Sequence, residues 1–326
     1  MIRQSLQTNP VKTISWKIDH LIDWARGGRE FLLDGQEKTN GFSQFAYSFD
    51  SAITSDDGIY AVIYKKYGTK GLLLKNGSPL REINRSYYHA DIYEYPVAFA
   101  KLNNVTILIH CPDEYCRIEF EEVDTGKKLT NHIERKPSDF FHSRFEVSPD
   151  NKTLLSKGWV WQPFDFIEVY DIEKCIGNPL LLDKSKFYPD VASEICAASF
   201  ITSELVLIGS TRDTEPNNIE SSKKMMDGQI ALWNIKTNDI IDIVTPNFIV
   251  GIHLIAINEK YAWDLYDYPK IINYRTGEIE TGLKDIFTGR DTTSFASGDQ
   301  LPKISYNRLT KQVAISADDK IEILTM

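Results

Sequence analysis

The side chains that could carry out acid–base, nucleophilic or metal chemistry are scattered along the chain. The sequence has 6 histidines and 4 cysteines, and none of the histidines forms an HxH or HExxH motif, the spacings that bring two ligands to one metal. His110 stands beside Cys111, but neighbours on a strand point to opposite faces, which argues against a nucleophile–base pair. Cys111 and Cys116 are not followed by a second pair, as a zinc site would require. We therefore expect no catalytic residues, no metal site and no cofactor.

Two carboxylates, Asp264 and Asp267, lie close together in the sequence and could bind calcium. Calcium prefers six to eight oxygen ligands, so two acidic residues favour a solvated loop over a metal site.

The elements that position these residues repeat along the chain. Strand–turn–strand units are centred near residues 57, 104, 151, 204, 258 and 309, at spacings of 47, 47, 53, 54 and 51 residues. Each unit continues with a third strand that ends in a polar turn, such as Gly71–Lys75 before Asn76-Gly77, and then with a fourth strand. A sustained period of this size with four short strands per unit predicts the blades of a β-propeller.

Two of these units resemble WD repeats. The stretch from Gly228 to Ile241, GQIALWNIKTNDII, is similar to the third and fourth strands of a WD-repeat blade, and the turn that begins at Ser148, SPDNKTLL, is similar to its first turn. The Gly-His dipeptide of the family is absent, and its Trp-Asp dipeptide is replaced by Trp233-Asn and by Tyr170-Asp. The resemblance implies a divergent WD-repeat-like β-propeller.

Blade counting predicts one all-β domain over residues 1–326. Residues 46–300 supply five blades of four strands, and residues 301–326 supply three strands of the last blade. The alternating segment Lys12–Ile18 is expected to be its missing outer strand, so that the N- and C-terminal segments close the ring. His20–Leu33 is expected to add a hairpin, so residues 1–45 hold the closing strand and this hairpin. The count favours six blades and leaves seven open.

One end of the predicted blades is rich in aromatic and acidic loop residues, whereas the opposite turns are plain and polar. Aromatic side chains dominate interface hot spots, and carboxylates favour a basic partner. The alternative is that these aromatics pack between blades. The long loop Thr211–Asp227 belongs to the same end. The predicted partner-binding residues are Tyr88, Asp91, Tyr93, Glu94, Tyr95, Asp113, Glu114, Tyr115, Phe140, Trp159, Trp161, Asp165, Tyr188, Asp190, Trp263, Asp264, Tyr266, Asp267 and Tyr268.

Composition narrows the class of partner. The net charge of −9 argues against a general nucleic-acid binder, which must neutralise phosphates. The N-terminal residues lack a signal-peptide pattern, and no apolar run approaches 18 residues, so we expect a cytoplasmic protein that does not bind membranes.

These observations lead to a functional expectation: a non-catalytic module that binds a protein with a basic docking surface. A toxin-neutralising immunity protein is a sharper version of this hypothesis. The alternative is a propeller hydrolase or lactonase with calcium in the central channel. The oligomeric state is left open.

Overall fold

The computed structural model describes residues 1–39, 45–184, 187–210, 224–296 and 301–326. The described residues form 26 strands in seven antiparallel sheets, with one short α-helix, α1 (Ile172–Gly177), and two 3-10 turns, Trp24–Arg26 and Pro179–Leu182. The chain divides into two compact units, Met1–Tyr95 with Asp299–Met326 (unit 1) and Pro96–Gly298 (unit 2). None of the helices in these described ranges is long and apolar enough to cross a membrane.

Unit 1 contains three sheets of four strands. The first holds β2 (Ser15–Lys17), β3 (His20–Asp23), β4 (Arg29–Phe31) and β5 (Glu37–Lys38), and the second holds β6 (Ser51–Thr54), β7 (Tyr60–Tyr64), β8 (Gly71–Lys75) and β9 (Ser78–Glu82). The third combines β1 (Ile2–Gln7) with β24 (Ile304–Tyr306), β25 (Val313–Ser316) and β26 (Lys320–Thr325), in the order β1-β26-β25-β24.

Unit 2 contains four sheets. The first two have three named strands each: β10 (Val97–Leu102), β11 (Val105–His110) and β12 (Glu119–Glu122), then β13 (Phe140–Val147), β14 (Thr153–Val160) and β15 (Phe164–Asp171). The next two have four each: β16 (Ala197–Phe200), β17 (Leu205–Gly209), β18 (Ile230–Asn234) and β19 (Asp239–Val244), then β20 (Leu254–Ala256), β21 (Tyr261–Asp264), β22 (Lys270–Asn273) and β23 (Glu278–Gly282).

The two three-stranded sheets have their last strands partly covered. An isolated bridge joins Glu121 to Lys128 beside β12. The backbone N–H of Val169 in β15 donates to the carbonyl of Phe187 at 3.0 Å. These contacts satisfy part of the edge that a fourth strand would otherwise pair.

The same side-chain hydrogen bond shapes the first turn of two blades. The hydroxyl of Ser55 donates to Asp57 Oδ1 at 2.7 Å, and that of Ser148 donates to Asp150 Oδ1 at 2.7 Å. A short Asp or Ser side chain that bonds within its own turn stabilises the reversal between strands. These two blades therefore share the same turn hydrogen bond, as the sequence repeat predicts.

Neighbouring sheets within each unit pack through apolar faces. Leu6 of β1 and Ala314 of β25 join a cluster with Trp16, Leu21 and Phe31 of the first sheet. In unit 2 the β16–β19 and β20–β23 sheets share a cluster of Leu207, Leu232, Leu254 and Ile272, among others. Neighbouring blades of a propeller are expected to pack in this way, with the apolar face of one sheet against that of the next.

Closure by an N-terminal strand is confirmed, but the predicted segment was wrong. All six residues of β1 pair with β26, from Ile2 with Thr325 to Gln7 with Lys320. Lys12–Ile18 instead supplies β2, which begins at the buried Ser15 and follows the buried Thr13 and Ile14. β2 is the first strand of its sheet and is buried against β6 and β24 of neighbouring sheets, whereas the polar strand IRQSLQ is mostly exposed and fits an outer edge.

The described residues form seven blades, the number that the sequence left open, rather than the favoured six. The hairpin expected in His20–Leu33 is β3 and β4, and it belongs to a complete sheet with β2 and β5. Its turn contains Gly27 and Gly28, with φ of 72° and 75°, a conformation that glycine adopts without steric cost. The loop prediction for Thr211–Asp227 falls largely on 211–223, outside the described residues.

Candidate binding surface

In unit 1, the buried side chain of Arg85 holds the segment between β9 and Tyr95 in place. Arg85 donates from Nε to the carbonyl of Gly68 at 2.8 Å and from Nη2 to those of Ala90 at 2.7 Å and Tyr93 at 2.8 Å. Its guanidinium carbon lies 4.4 Å from the ring centre of Tyr93 and 5.0 Å from that of Tyr95. Tyr93 and Tyr95 are buried, so they hold this loop in place and do not face solvent.

The same loop exposes other tyrosines. Tyr88 is exposed and its ring lies 4.4 Å from that of His89, and Tyr87 is 86% exposed. Asp91 is also exposed, while Glu94 is half-buried and pairs with Lys66 at 3.4 Å. The sequence prediction included Tyr88 but omitted Tyr87, although both lie in the same aromatic loop.

In unit 2, aromatic rings from four segments of the chain contact one another. The ring of Phe141 lies 4.1 Å from that of Tyr115 and 3.7 Å from that of Trp159, and the Phe141 and Trp159 rings are nearly parallel, with an angle of 3° between them. On the other side, the Trp159 ring lies 4.9 Å from that of Phe295. The stack joins the β11–β12 connection, the start of β13, the end of β14 and the segment after β23, and neither Phe141 nor Phe295 was predicted.

Trp161 stands beside this stack. Its ring centre lies 5.5 Å from that of Phe141 and 5.2 Å from that of Trp159, at 89° to each. Similar distances to two stacked rings place Trp161 along their edges rather than at the end of the stack. Trp161 is 47% exposed, whereas Trp159 is only 2% exposed. One tryptophan therefore supports the surface, and the other forms part of it.

Acidic residues lie next to Tyr115, one of them in contact and two in the preceding sequence. The hydroxyl of Tyr115 donates to Asp139 Oδ1 at 2.6 Å. Asp113 pairs with Lys128 at 2.7 Å, and Glu114 is exposed. The surface thus combines a fixed aromatic edge with negative charge.

A buried polar network lies beneath this surface. Ser294 N–H donates to both carboxylate oxygens of Asp165, at 3.0 and 3.2 Å. Arg144 donates to Ser294 Oγ at 2.6 Å and to the carbonyls of Cys196 at 3.1 Å and Ile252 at 3.2 Å. Burial raises the pKa of Asp165 to about 6, although Arg144 opposes that shift. Asp165 therefore fixes a loop and does not meet a partner.

The loop that suggested calcium binding is already neutralised by cations of the chain. Trp263 and Asp264 are buried, and the Asp264 carboxylate lies 3.4 Å from Lys270 Nζ. Burial raises the pKa of Asp264 to about 6 and lowers that of Lys270. Asp267 pairs with Arg290 at 2.8 Å. Within the described residues, no group of three or more His, Cys, Asp or Glu side chains is placed to hold a metal ion.

The other predicted residues of unit 2 differ in exposure. Phe140 is buried, whereas Tyr188 is exposed with its ring 5.2 Å from that of Phe166. Asp190 forms an ion pair with Lys224. Tyr266 and Tyr268 are half-buried around the ammonium of Lys270.

Burial separates the predicted residues into two groups. The buried residues are Tyr93, Tyr95, Phe140, Trp159, Asp165, Trp263 and Asp264. For them the packing alternative describes the structure, because their side chains fill space within the fold. Those at least partly exposed are Tyr88, Asp91, Glu94, Asp113, Glu114, Tyr115, Trp161, Tyr188, Asp190, Tyr266, Asp267 and Tyr268.

The candidate nucleophiles are buried. All four cysteines are free thiols in the interior, and burial raises the pKa of Cys116 to about 11 and that of Cys175 to about 12. A thiol with a raised pKa is a poor nucleophile at neutral pH. The His142 imidazole bonds to Ser156 Oγ at 2.9 Å, but both residues are buried and burial lowers the pKa of His142 to about 3.

No protein-family model matches this sequence. No curated protein matches it either. Among solved structures, a chain of "Crystal Structure of Mitotic Checkpoint Complex" superposes with a TM-score of 0.64 at 12% identity, covering 99% of this chain and 91% of that one. In all, 1030 chains match, so the likeness identifies a widely used architecture and carries the fold alone. Together with the seven sheets formed by the described residues, it shows that this chain has a β-propeller fold.

Proposed function

We propose that this protein is a non-catalytic protein-binding module and that a partner docks on the loop surface of unit 2 around Trp161. The observation that carries the proposal is the half-exposed indole held against two stacked rings. Most isolated exposed apolar residues need no explanation. Trp161 differs because its neighbours fix its position before any partner arrives.

Preorganisation is the physical reason that this arrangement suits binding. A side chain that is already immobilised loses little conformational entropy on association, so more of its contact energy appears as affinity. Trp and Tyr are also the residues most enriched among binding hot spots. Trp161 is a candidate anchor, with Tyr115 beside the same stack and Tyr188 as a further exposed aromatic of unit 2.

The chemistry of the partner follows from the charges. Glu114 and Asp139 are exposed near the stack, and the whole chain carries a net charge of −9. A basic docking surface would be complementary to these groups and would be attracted during diffusional encounter. The solved structure that shares the fold belongs to a protein complex, which is consistent with a binding role.

Substitution of Trp161 tests the proposal. Tagged wild-type protein is used to isolate a partner from the native host, and mass spectrometry identifies it. The affinity of the purified pair is then measured for Trp161→Ala and for the turn variants Lys127→Ala and Glu278→Ala. We expect Trp161→Ala to lose about 2 kcal/mol, roughly thirtyfold in Kd, while its melting temperature stays close to wild type.

Sensitivity confined to the turn variants would show that the partner uses the opposite end of the blades. The finer hypothesis of a toxin-neutralising protein requires a further result. The isolated partner would have to arrest growth when expressed alone, and co-expression of the wild type, but not of Trp161→Ala, would have to restore it.

A further inference from the structure

The exposed indole of Trp161 contacts Phe141, and the other neighbour of Phe141, Tyr115, is bonded to a carboxylate. The face of an aromatic ring carries negative potential, and that of tryptophan attracts cations most strongly. The hydroxyl of Tyr115, whose ring stacks on Phe141, reaches the Asp139 carboxylate at 2.6 Å. Glu114 precedes Tyr115 and is exposed. These carboxylates add to the attraction that the indole exerts on a cation.

Two basic side chains that follow Glu114 and Tyr115 in the sequence already form hydrogen bonds with other carboxylates. Arg117 donates from Nε to Glu119 Oε1 at 2.7 Å, and Lys128 contacts Asp113 at 2.7 Å. Glu114 and Asp139 are exposed, and although the charge of Arg117 also acts on Glu114, its Nε–H donates to Glu119.

A planar cation fits this surface better than a compact one. A guanidinium group can stack flat on an indole and still direct N–H donors outward to carboxylates, whereas an ammonium is a strongly hydrated point charge. Removing water from a guanidinium costs less, which matters where half of the ring remains in solvent.

We propose that Trp161 binds an arginine side chain of the partner, with the guanidinium stacked on the exposed indole and Glu114 and Asp139 providing the favourable field. This inference rests on the proposed function, and it names the group that the loop surface of unit 2 recognises. It distinguishes an arginine-reading surface from one that merely buries apolar area.

The test uses small probes and the indole N–H resonance of Trp161, assigned by its disappearance in Trp161→Phe. The probes are blocked Gly-Arg-Gly tripeptide, its lysine analogue and its citrulline analogue, which has nearly the shape of arginine but no charge. We expect saturable shifts of the Trp161 resonance with the arginine peptide in the millimolar range, weaker binding of the lysine peptide and no comparable shift with citrulline.

Variants separate the contributions of the ring and the field. Trp161→Leu should weaken binding of the arginine peptide about two- to fivefold, the range of an exposed cation–π contact. Glu114→Gln should weaken it less, and added salt should reduce that difference. The matched control Glu278→Gln, in an exposed turn of unit 2, should change nothing.

Equal shifts with the citrulline and arginine peptides, or no shift of the Trp161 resonance with either, would overturn the inference. The outcome is separable from that of the proposed function. If Trp161→Ala abolishes binding of the native partner while the arginine peptide fails, the surface binds a partner through other chemistry. If the arginine peptide binds at Trp161 but the native partner is indifferent to Trp161→Ala, the docking proposal fails instead.

Discussion

Glu168 is a carboxyl group buried within the β13–β15 sheet, where its exposed fraction is 7%. It accepts a hydrogen bond from the Tyr170 hydroxyl and lies opposite Ser156 in the strand register. Burial raises the pKa of Glu168 to about 7. Because the folded-state pKa exceeds the unfolded value, the stability contributed by the protonated group is complete below about pH 4.5 and is lost as pH rises through about 7.

We predict that Glu168→Gln stabilises the protein at high pH. The amide keeps the size of the side chain and an acceptor for Tyr170, but it has no charge to bury. The difference in the free energy of unfolding between variant and wild type should grow from small values at pH 4.5 to roughly 3 kcal/mol above pH 7. Denaturant unfolding at three pH values measures it, with Glu278→Gln as the exposed control. A difference that does not change with pH would contradict the burial argument.

Arg144 connects three parts of unit 2 through a single side chain. Its guanidinium donates to Ser294 Oγ and to the carbonyls of Cys196 and Ile252, which lie just before the first strands of two neighbouring blades. A lysine at this position cannot reach all three acceptors with one ammonium.

We predict that Arg144→Lys lowers the free energy of unfolding by about 2–4 kcal/mol, because carbonyl and hydroxyl acceptors of the network lose their donor. Hydrogen exchange should speed up at Ser294 before it does in the β-strands. A variant as stable as wild type, within about 0.5 kcal/mol, would show that the network contributes little.

The two tryptophans that flank the end of β14 show where residue-level prediction stops. Trp159 and Trp161 have the same type and lie two positions apart, so the sequence placed both in the binding surface. In the structure, Trp159 lies within the aromatic stack, whereas Trp161 is half exposed because β14 ends between them, at Val160. Ring contacts from Tyr115, Phe141 and Phe295 decide this difference, and they come from segments far away in the sequence.

At the scale of elements, β1 owes its place to paired polar groups rather than to apolar burial. Glu322 of β26 is nearly inaccessible and accepts bonds from Arg3 Nε at 3.0 Å, Arg3 Nη2 at 2.7 Å and Ser5 Oγ at 2.6 Å. The Arg3 hydrogen bonds, assisted by Lys320 and Ser5, lower the pKa of Glu322 to about 2. This pairing stabilises the fold above the unfolded pKa, and the stabilisation is lost as pH falls towards 2.

We predict that β1 and Glu322 are energetically coupled. Removal of residues 1–8 should lower the melting temperature by several degrees, because ladder hydrogen bonds and the Arg3 pair are lost. Glu322→Gln should cost less in the truncated chain than in the full one, with a coupling of about 1–3 kcal/mol in a double-mutant cycle. Additive effects would mean that the two strands do not share this interaction.

Strands with a strong local sequence pattern were predicted correctly, and strands with a weak pattern were missed. Third strands such as β8 and β18 were located from apolar runs that end in Asn-Gly or Lys-Thr-Asn turns, and the structure has both. β1 has only Leu6 buried, so its hydrophobic pattern was too weak to identify. Its partner and its polar contacts lie more than 300 residues away in the sequence, a distance that periodicity does not cover.

At the scale of the whole molecule, the net charge of −9 bears on how quickly a partner arrives. Surface charge attracts an oppositely charged protein over about a Debye length, near 8 Å at physiological salt. We predict that the association rate with an isolated partner falls at least severalfold between low and physiological salt, while the dissociation rate changes much less. Stopped-flow measurements over a salt series test this, and a salt-independent association rate would contradict a basic docking surface.

The pairing of the chain ends makes a second prediction for the whole molecule. Ile2 and Thr325 are strand partners in an antiparallel pair, so their Cα atoms lie about 5 Å apart. A short hairpin-type linker can therefore join Met326 to Met1 without straining the folded state. Cyclisation would restrict only the unfolded chain, whose loop-closure entropy is worth on the order of 5 kcal/mol for a chain of this length.

We expect the cyclised protein to melt several degrees above a linear control that carries the same linker residues at one end. Part of the gain should persist in cyclised Glu322→Gln, because the linker keeps β1 beside β26 even when the charge pairing is weakened. Calorimetry of the four proteins, cyclic and linear with each residue at 322, measures both effects. A cyclic protein that melts at or below the linear control would show that joining the ends strains the β1–β26 pair, contrary to the register in which Ile2 and Thr325 already lie side by side.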